Sequence, residues 1–479
     1  MMTAPKSMTI LGAGPAGYPA AFLAADLGLL VTLIDSAPAL GGTCLHRGCI
    51  PSKSLLHAAR LLSDAREAAA IGLDFVPPTV RLDQLREWKE SVTDRLAQGL
   101  AQLAKARGVR VVEARAAFAS PSQLRLVAPD GSVAPHDFDA LLLATGSVPA
   151  MPAAFPASHP HLWDSTAALE LPEIPETLLV VGGGYIGLEL GSVYAALGAR
   201  VTVVEMTGGL LPGVDRDLIV PLAKRLRGIF KDIHLNTRVA GIADAPAGLR
   251  VALANAKTGE TRGETFAKVL VAVGRRPFAD GLELDKAGVA LNDRGFIVVD
   301  ETGRTANPRV FAAGDVAGNP MLAHKATHEA RALVARLLGR AAHRSAHVPA
   351  VVFTDPEIAW VGLTETQAKE QGLDVRVSKF PWAASGRALS LDRADGVTKI
   401  LADPGTGKLR GVAMAGPGAG DLISEASLAL ESGATVAELA RTIHPHPTLS
   451  ETLGEAADLH EGLCAHLYRP AKPSRPSAS

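Results

Sequence analysis

Cys44 and Cys49, two of the three cysteines in the chain, lie in the glycine-flanked segment GGTCLHRGCIPSK at residues 41–53. Pro51 opens a predicted helix that continues from Ser52 through SKSLLHAARLLSDAREAAA, so Cys49 is expected beside a positive helix terminus. That position favours the thiolate form of Cys49, and thiolate character controls thiol–disulfide exchange. The spacing therefore predicts a pair that makes and breaks a disulfide during a redox reaction.

A structural disulfide and half of a metal site are the alternative interpretations of this pair. Four residues separate the two thiols, which is wider than the spacing in zinc knuckles, and no second Cys/His pair follows at metal-ligand spacing. Three cysteines in 479 residues are typical of a reducing compartment, where a disulfide is more often catalytic than structural. We therefore predict a redox-active pair, no bound metal and a cytoplasmic protein.

The composition is that of an ordinary globular enzyme, with 47% hydrophobic and 20% charged residues and a formal net charge of -1. Such a balance provides no field that would attract nucleic acid or an anionic membrane. The first apolar strand begins within ten residues of the N-terminus, and no apolar run reaches the length of a membrane span. We therefore expect no signal or transit sequence, and neither nucleic acid nor a membrane as a partner.

A repeat surrounds the cysteine segment. Residues 8–36 and 177–206 each run through an apolar strand, a G-x-G-x-x-G turn, a helix and a second apolar strand that ends in an acid, Asp35 or Glu205. One such motif alone is a weak signal, because any Gly-rich turn can match it. Two copies in which the acid follows the first glycine at the same distance predict two dinucleotide-binding βαβ units.

The glycines of each turn let the backbone approach a pyrophosphate at a helix N-terminus, while the acid accepts hydrogen bonds from ribose hydroxyls. Two dinucleotides beside a redox thiol pair imply electron transfer between the thiols, a flavin and a nicotinamide. Because the first unit leads directly into the cysteine segment, FAD is predicted there and the nicotinamide cofactor in the second unit.

Two further segments are predicted to complete the flavin site. Ala144, Thr145 and Gly146 follow an apolar strand in DALLLATGS, and Asp315 lies in FAAGDV. A Gly-Asp pair after an apolar run is also compatible with a plain turn. Beside the other motifs, Asp315 is interpreted as a ligand of the ribityl or pyrophosphate portion of the flavin cofactor.

The chain resembles the pyridine nucleotide-disulfide oxidoreductases, and among them the dihydrolipoyl dehydrogenases, over essentially its whole length apart from the last dozen residues. The segments that carry the resemblance are GGTCLHRGCIPSK, GGGYIGLELG, AVGRRPF at 272–278, FAAGDV at 311–316, MLAHKATHEA at 321–330, FTDPEIAWVGLTE at 353–365, FPWAASGRA at 380–388 and HPHPTLSE at 444–451.

The resemblance implies an α/β fold with two Rossmann-like dinucleotide-binding domains, for FAD and NAD, and a C-terminal α+β dimerisation domain. The expected limits are 1–150 for the first part of the FAD domain, 151–278 for the NAD domain, 279–348 for the central segment that completes the FAD domain and 349–479 for the dimerisation domain. The Pro/Ser-rich basic tail YRPAKPSRPSAS at 468–479 is expected to be disordered.

The resemblance also implies roles for the reactive residues. Cys44 resembles the thiol that exchanges with a dithiol substrate, and Cys49 the thiol that lies against the flavin. His446 resembles the base that takes the substrate thiol proton, and Glu451 the residue that orients it. Without the family match, a His/Glu pair five positions apart would be interpreted as a surface turn.

Lys53 and Glu189 match a pair that the family places near the reactive edge of the flavin, where the cation stabilises negative charge on the reduced ring and the carboxylate holds the cation. Alone, each would be interpreted as a surface charge. Tyr185 is expected to cover the flavin face where the nicotinamide enters.

The predicted FAD-binding residues are Gly12, Gly14, Gly17, Asp35, Gly42, Thr43, Lys53, Ala144, Thr145, Gly146, Asp315 and Ala323. The predicted NAD-binding residues are Gly182, Gly184, Tyr185, Ile186, Gly187, Glu205, Val239, Ala272, Gly274 and Arg275. NAD is preferred to NADP because no basic residue follows Glu205 until Arg216, so a 2′-phosphate would meet a carboxylate without a nearby cation.

Three departures from the family pattern are visible. His46 and Arg47 add positive charge between the cysteines and are expected to favour thiolate. Asp35 is one methylene shorter than the usual glutamate. Cys464 stands alone near the C-terminus, where a mercuric ion reductase has a cysteine pair, and is expected to be an inert packed thiol.

The resemblance implies oxidation of protein-bound dihydrolipoamide, with electrons passing through the cysteine pair and FAD to NAD+. It implies a homodimer that serves the lipoyl-bearing acyltransferase or lipoyl carrier protein of a 2-oxoacid dehydrogenase or glycine cleavage complex. Two alternatives remain. Glu205 and the lone Cys464 argue against an NADPH-linked disulfide or metal reductase, and the complete set of reactive residues argues against a non-catalytic scaffold that retains FAD.

Overall fold

The computed structural model describes residues 5–156, 158–342, 345 and 347–467, so the predicted disorder of the tail at 468–479 lies outside the described residues. The chain divides into two compact units. The first contains Met1–Gly208 and Lys231–Arg344, and the second contains Gly209–Phe230 and Ser345–Ser479. Residues 209–230, which fall within the predicted NAD domain, thus group with the C-terminal residues. The predicted domain limits stay predictions.

Two five-stranded parallel sheets organise the first unit, one for each copy of the sequence repeat. Their strands are nearly continuous apolar runs, as expected for parallel sheets covered on both faces. In spatial order the strands of the first sheet are Val310–Ala312, Ala140–Leu143, Ser7–Leu11, Leu30–Asp35 and Arg110–Glu113. Those of the second are Asp232–His234, Arg200–Val204, Thr177–Val181, Lys268–Val271 and Leu162–Trp163.

Smaller antiparallel sheets complete the strands of the first unit. Two have three strands each: Arg115–Ser120, Gln123–Val127 and Val133–Asp137 in one, and Thr237–Ala245, Gly248–Asn255 and Thr261–Phe266 in the other. The third pairs Ser147–Pro149 with Arg275–Pro277.

Helices of the first unit pack on the parallel sheets and on one another. They are Gly17–Asp26, Gly42–Arg47, Cys49–Glu67, Leu82–Ala106, Ser165–Glu170, Tyr185–Leu197 and Ala323–Leu337, with 3-10 turns at Ala68–Ile71, Leu284–Ala287 and Gly314–Val316. The helix predicted to follow Pro51 begins earlier, at Cys49. Proline is compatible with the first turn because its missing N–H has no intrahelical partner there. Cys49 is therefore the first helical residue.

The second unit is built on one five-stranded antiparallel sheet. Its strands in spatial order are Ala350–Val352, Ile358–Gly362, Leu409–Ala415, Val397–Ala402 and Arg376–Pro381. Its helices are Arg216–Ile229, Glu365–Glu370, Gly386–Ser390, Ala419–Glu431, Val436–Arg441 and Glu451–Glu461, with a 3-10 turn at Trp382–Ala384. The apolar core includes Ile400, Val412, Ile423 and Leu453, so the sheet packs against helices that include Ala419–Glu431 and Glu451–Glu461.

A buried ion network joins residues 209–230 to this sheet. The ammonium of Lys399 is fully buried and lies 2.6 Å from Asp215, 2.9 Å from Asp217 and 2.8 Å from Glu365. Lys379 adds a second cation beside Asp217 and Glu365. The three carboxylates lie close enough together to surround a metal ion, but the Lys399 ammonium supplies the cation among them.

Replacing Lys399 by Met is expected to lower the free energy of unfolding by about 3–5 kcal/mol, because it leaves the buried Asp215 carboxylate without its cation, whereas Asp217 and Glu365 keep Lys379. Burial alone raises the pKa of Asp215, but hydrogen bonds from Lys399 and Thr366 lower it to about 2. The stabilisation is therefore present above the ordinary aspartate pKa of about 3.9, and the difference between wild type and variant shrinks as the pH falls from about 4 toward 2.

Urea unfolding at neutral and acidic pH measures this difference. Lys224→Met is the matched control, since Lys224 pairs with Asp395 where both side chains are exposed, and it is expected to cost at most about 1 kcal/mol. Equal losses in the two variants would show that the buried network adds nothing beyond a surface ion pair.

Candidate active site

The first glycine turn leaves no space for side chains. Gly12 has φ of +105°, and a Cβ there would lie 2.3 Å from the Ala144 carbonyl oxygen. A Cβ on Gly17 would lie 1.7 Å from the Gly12 oxygen, and one on Gly42 would lie 2.6 Å from Gly14 Cα. The turn is therefore a bare backbone surface, at the start of the helix Gly17–Asp26, that a pyrophosphate can approach.

The second glycine turn has the same geometry. Gly182 has φ of +110°, and its Cβ would lie 2.4 Å from the Ala272 oxygen. A Cβ on Gly187 would lie 2.2 Å from the Gly182 oxygen. The repeat seen in the sequence is thus a repeat of backbone contacts, which explains the glycine at the first and last positions of both motifs.

Asp35 and Glu205, the acids that end the two βαβ units, each accept hydrogen bonds from two backbone N–H groups. Asp35 accepts hydrogen bonds from the Ala13 N–H at 2.6 Å and from the Ala37 N–H at 2.8 Å. Each oxygen of Glu205 likewise accepts a 2.8 Å bond from a backbone N–H, and Glu205 is only 6% exposed. A carboxylate oxygen has two lone pairs, so each acid keeps acceptor capacity for ribose hydroxyls.

A cavity of about 770 Å³ in the first unit brings the glycine turn and the cysteines together. It is lined by every predicted FAD-binding residue except Gly17, whose place under the turn is structural. Of the predicted NAD-binding residues, Tyr185, Ile186 and Arg275 line the same cavity. The remaining ones lie outside it, namely Gly182, Gly184, Gly187, Glu205, Val239, Ala272 and Gly274.

The cysteines lie at the junction of two helices, Cys44 in Gly42–Arg47 and Cys49 at the start of Cys49–Glu67, and both are free thiols. The hydrogen bond from Cys44 and the Lys53 cation outweigh burial and lower the pKa of Cys49 to about 7. The same hydrogen bond and burial raise the pKa of Cys44 well above its ordinary value. Of the two thiols, Cys49 is therefore the one that ionises more readily.

The predicted contribution of His46 and Arg47 to this thiolate stays a prediction. His46 uses its Nε2 atom in a 2.9 Å hydrogen bond with the carbonyl oxygen of Leu40. The cation that lowers the pKa of Cys49 is Lys53, one turn along the same helix.

Lys53 and Glu189 meet as expected from the sequence. The Lys53 ammonium donates to Glu189 Oε2 at 2.9 Å, and Glu189 is only 3% exposed. The two residues lie on the helices Cys49–Glu67 and Tyr185–Leu197, which pack against each other. Lys53 therefore brings a positive charge to the cavity, and Glu189 holds its ammonium group in place.

Ser147 is a site residue that the sequence analysis missed. Its hydroxyl donates to Asp315 at 2.5 Å and accepts from Arg275 Nε at 2.7 Å. Arg275 also donates to the Ser147 carbonyl at 2.6 Å. Ser147 directly follows the Ala144–Gly146 segment in the sequence, and this adjacency was the available signal. Tyr185 lies close by, and burial raises the pKa of its hydroxyl.

The predicted base and its partner are in contact in the second unit. His446 Nδ1 donates to Glu451 Oε1 at 2.8 Å, and Glu451 Oε2 accepts from the Thr448 N–H at 2.7 Å. Although burial raises the pKa of Glu451, these two hydrogen bonds hold it below its ordinary value. Because Nδ1 is fixed as a donor, Nε2 of the exposed imidazole is the atom that can take a proton.

His444 and Cys464 have structural surroundings. The largely buried His444 lies 2.9 Å from Glu425, whose hydrogen bond raises the pKa of the imidazole. Cys464 is half-buried and donates to Glu455 at 3.1 Å, while burial and this carboxylate raise the pKa of the thiol. Neither residue therefore resembles an exposed base or a reactive thiolate.

Two family models match the chain. The model described as pyridine nucleotide-disulphide oxidoreductase matches residues 6–330, and its dimerisation domain matches residues 348–457. The chain belongs to the pyridine nucleotide-disulphide oxidoreductase family. The resemblance stated from the sequence motifs is thereby confirmed, together with the α/β fold class and the prediction of an enzyme that uses FAD and NAD.

Curated members of the family are similar over almost the full length. The dihydrolipoyl dehydrogenase of Haemophilus influenzae is 43% identical and that of Thermus scotoductus 44%, each over 96% of this chain and 96% and 98% of the relative. Among solved structures, LpdA from Mycobacterium tuberculosis has a TM-score of 0.87 at 28% identity, covering 95% of this chain and 99% of the other. The Cu(II) complex of the flavoprotein disulfide reductase RclA from Escherichia coli has a TM-score of 0.84 at 30% identity, covering 96% of this chain and 100% of the other.

The family match and the helices of the structure give information on oligomeric state and on membrane spans. The dimerisation-domain match supports a homodimer. No helix in the described part of the chain combines the length and apolar character needed to cross a bilayer. As a flavoprotein disulfide oxidoreductase of this family, the protein moves an electron pair between thiols, flavin and nicotinamide.

Proposed function

We propose that this protein oxidises protein-bound dihydrolipoamide to lipoamide and passes the two electrons through Cys44 and Cys49 and FAD to NAD+. The observation that carries the proposal is the cavity in which the two cysteines and the Lys53–Glu189 pair lie together with the predicted flavin ligands, where Lys53 and the hydrogen bond from Cys44 lower the pKa of Cys49. A protonated Cys44 beside a Cys49 thiolate is the product of two-electron reduction of a disulfide. The names of the curated relatives supply the substrate.

The thiol chemistry follows from the two thiols and the dyad. His446 Nε2 takes the proton from one substrate thiol, and the resulting thiolate attacks Cys44 Sγ of the oxidised enzyme. The bond between Cys44 and Cys49 breaks, and Cys49 leaves as a thiolate. The second substrate thiol then attacks the substrate sulfur of the mixed disulfide, displaces Cys44 Sγ and gives its proton to Cys44. Lipoamide leaves, and the first proton remains on His446 Nε2. Two electrons now reside on the cysteine pair.

The residues of the cavity fit FAD. The Cβ-free surface of the first glycine turn would admit the pyrophosphate, the Asp35 carboxylate would suit a ribose, and the Lys53 cation would stabilise negative charge on the reduced ring. When bound in this cavity, FAD would supply a two-electron carrier between the dithiol and NAD+. Tyr185 is proposed to cover the ring until NAD+ enters.

The dyad is proposed to serve the cysteine pair of the partner chain. His446 and Glu451 lie inside the residues that match the dimerisation domain, whereas Cys44 and Cys49 lie in the other unit. An active site shared between chains explains why the base and the thiols stand near opposite ends of the sequence.

The proposed partner is a lipoyl-bearing acyltransferase or lipoyl carrier protein of a 2-oxoacid dehydrogenase or glycine cleavage complex. The few cysteines favour a reducing compartment, and we propose the cytoplasm.

An anaerobic titration of the purified protein with dihydrolipoamide tests the proposed function. We expect a yellow protein with one FAD per chain, in which two-electron reduction produces a long-wavelength absorption band from the Cys49 thiolate against oxidised flavin. Cys49→Ser is expected to abolish the band, while Cys464→Ser serves as the matched control and retains it. Reduction by NADPH but not by dihydrolipoamide would instead favour the disulfide or metal reductase alternative.

A further inference from the structure

A chain of hydrogen bonds crosses the core of the second unit and ends in the loop that carries the dyad. The Trp382 Nε1–H donates to the Thr398 hydroxyl at 2.9 Å, and Thr398 donates to the Thr452 hydroxyl at 2.9 Å. Thr452 then donates to the Leu449 carbonyl oxygen at 2.8 Å. We call Trp382, Thr398 and Thr452 the hydroxyl relay.

The hydroxyl relay is buried away from solvent, and its hydrogen bonds all run in the same direction, from Trp382 towards Leu449. Trp382 and Thr398 are 0% exposed and Thr452 is 1% exposed. Each threonine hydroxyl accepts one bond and uses its single proton in the next, so no group in the series can reverse without leaving a buried donor unpaired. Buried hydrogen bonds of this kind strengthen one another and fix the groups that they join.

Leu449, where the hydroxyl relay ends, directly follows Thr448 and lies two residues before Glu451, whose carboxylate is bound by Thr448 and His446. Thr448 donates its backbone N–H to Glu451, and His446 donates from Nδ1. Fixing the Leu449 carbonyl therefore fixes the short loop that sets the direction of both bonds.

The bonds of Glu451 tie the start of the helix Glu451–Glu461 to the dyad loop, and Thr452 ties it to the sheet. Ser450, the residue before the helix, makes no side-chain capping bond, although serine often does so at this position. The Thr452 hydroxyl connects the first helical turn both to the loop and to the strand Val397–Ala402, which carries Thr398. The helix start is thus attached to the sheet through the hydroxyl relay.

We propose that Trp382, Thr398 and Thr452 are positioning residues for the His446–Glu451 dyad. They touch neither substrate nor cofactor. They hold the loop and the helix start so that Glu451 aligns the imidazole for proton transfer. This inference rests on the proposed function, because it assumes that the dyad takes a proton from a dithiol substrate.

The test compares Thr452→Val with Thr452→Ser. Valine keeps the shape of threonine and removes the hydroxyl, whereas serine keeps the hydroxyl. We expect Thr452→Val to lower kcat for dihydrolipoamide oxidation about tenfold, because a small misplacement of a proton-transfer group is costly. Reduction of a dye by NADH, which bypasses the base, and KM for NAD+ should stay within about twofold. Thr452→Ser should restore most of the lost kcat.

Thr398→Val provides a second test of the hydroxyl relay, and Thr354→Val provides a control. Thr398→Val breaks the hydroxyl relay one step further from the dyad and is expected to cause the same selective loss, so the test survives if Thr452→Val does not fold. Thr354→Val removes another buried hydroxyl of the same unit, which bonds to the Pro356 carbonyl, and is expected to leave both activities unchanged.

The possible outcomes separate the two proposals. A wild-type protein that does not oxidise dihydrolipoamide would overturn the proposed function. An active wild type with unchanged kcat in folded Thr452→Val and Thr398→Val would overturn the positioning role alone. Equal losses of lipoamide and dye activity, or no recovery with Thr452→Ser, would reduce the hydroxyl relay to a purely structural element and would also overturn the inference.

Discussion

Replacing His446 by Gln is expected to slow dihydrolipoamide oxidation by about 10² to 10⁴-fold, the usual contribution of a positioned general base. Gln fills a similar space but cannot take the substrate proton that Nε2 takes. Electron transfer from NADH to a dye should remain, because that reaction begins at the nicotinamide and does not use the base. Parallel steady-state assays of both activities on one FAD-loaded preparation measure the effect.

His444→Gln is the matched control for this prediction. His444 stands two residues away but is bound to Glu425, and its replacement should leave lipoamide turnover within a few-fold of wild type. Full lipoamide activity in His446→Gln would place the base elsewhere.

NAD+ is expected to exceed NADP+ in kcat/KM by about a hundredfold to a thousandfold. A 2′-phosphate would face the buried carboxylate of Glu205, and two unit charges about 4 Å apart repel by about 4 kcal/mol at an effective dielectric constant near 20. Each 1.4 kcal/mol corresponds to about tenfold in rate. Arg216, the first basic residue after Glu205, already donates to the carbonyl oxygens of Leu210, Leu211 and Val214.

Glu205→Gln should lower the ratio of kcat/KM for NAD+ to kcat/KM for NADP+ by about tenfold or more. The substitution removes the repulsion between the carboxylate and the 2′-phosphate and keeps the shape of the side chain. Glu176→Gln, which changes an exposed carboxylate paired with Arg200, is the control and should leave the preference unchanged. Equal efficiency with both coenzymes in the wild-type enzyme would contradict the charge argument.

Local signals predicted much of the fold and the site. Gly12 and Gly182 indicate turns because only glycine tolerates their positive φ angles. A side chain at either position would also collide with a backbone carbonyl oxygen, that of Ala144 or Ala272. The strands read as apolar runs because parallel sheets are buried on both faces. The helix start was the exception: Pro51 suggested a beginning at Ser52, whereas the helix includes Cys49, because proline fits anywhere in the first turn.

The features that the sequence did not predict depend on contacts between residues that are far apart in the chain. Lys399, Thr398 and Thr452 look like ordinary strand and helix residues, and only the folded chain shows that they belong to a buried ion network and a hydroxyl relay. The contact of Lys53 with Glu189 was available only through the family resemblance, because no local pattern links two charges on separate helices.

The shared active site is tested most directly by mixed dimers. Cys44→Ser and His446→Gln are each inactive as homodimers in this account, because one lacks the exchange thiol and the other the base. After dissociation and reassociation of an equal mixture, statistical assortment gives about half hybrids, and each hybrid has one site with an intact disulfide and an intact base. The account predicts recovery of roughly a quarter of wild-type lipoamide activity, if the sites act independently. Verified hybrids that recover no activity would place the working base in the same chain as its disulfide and contradict the account.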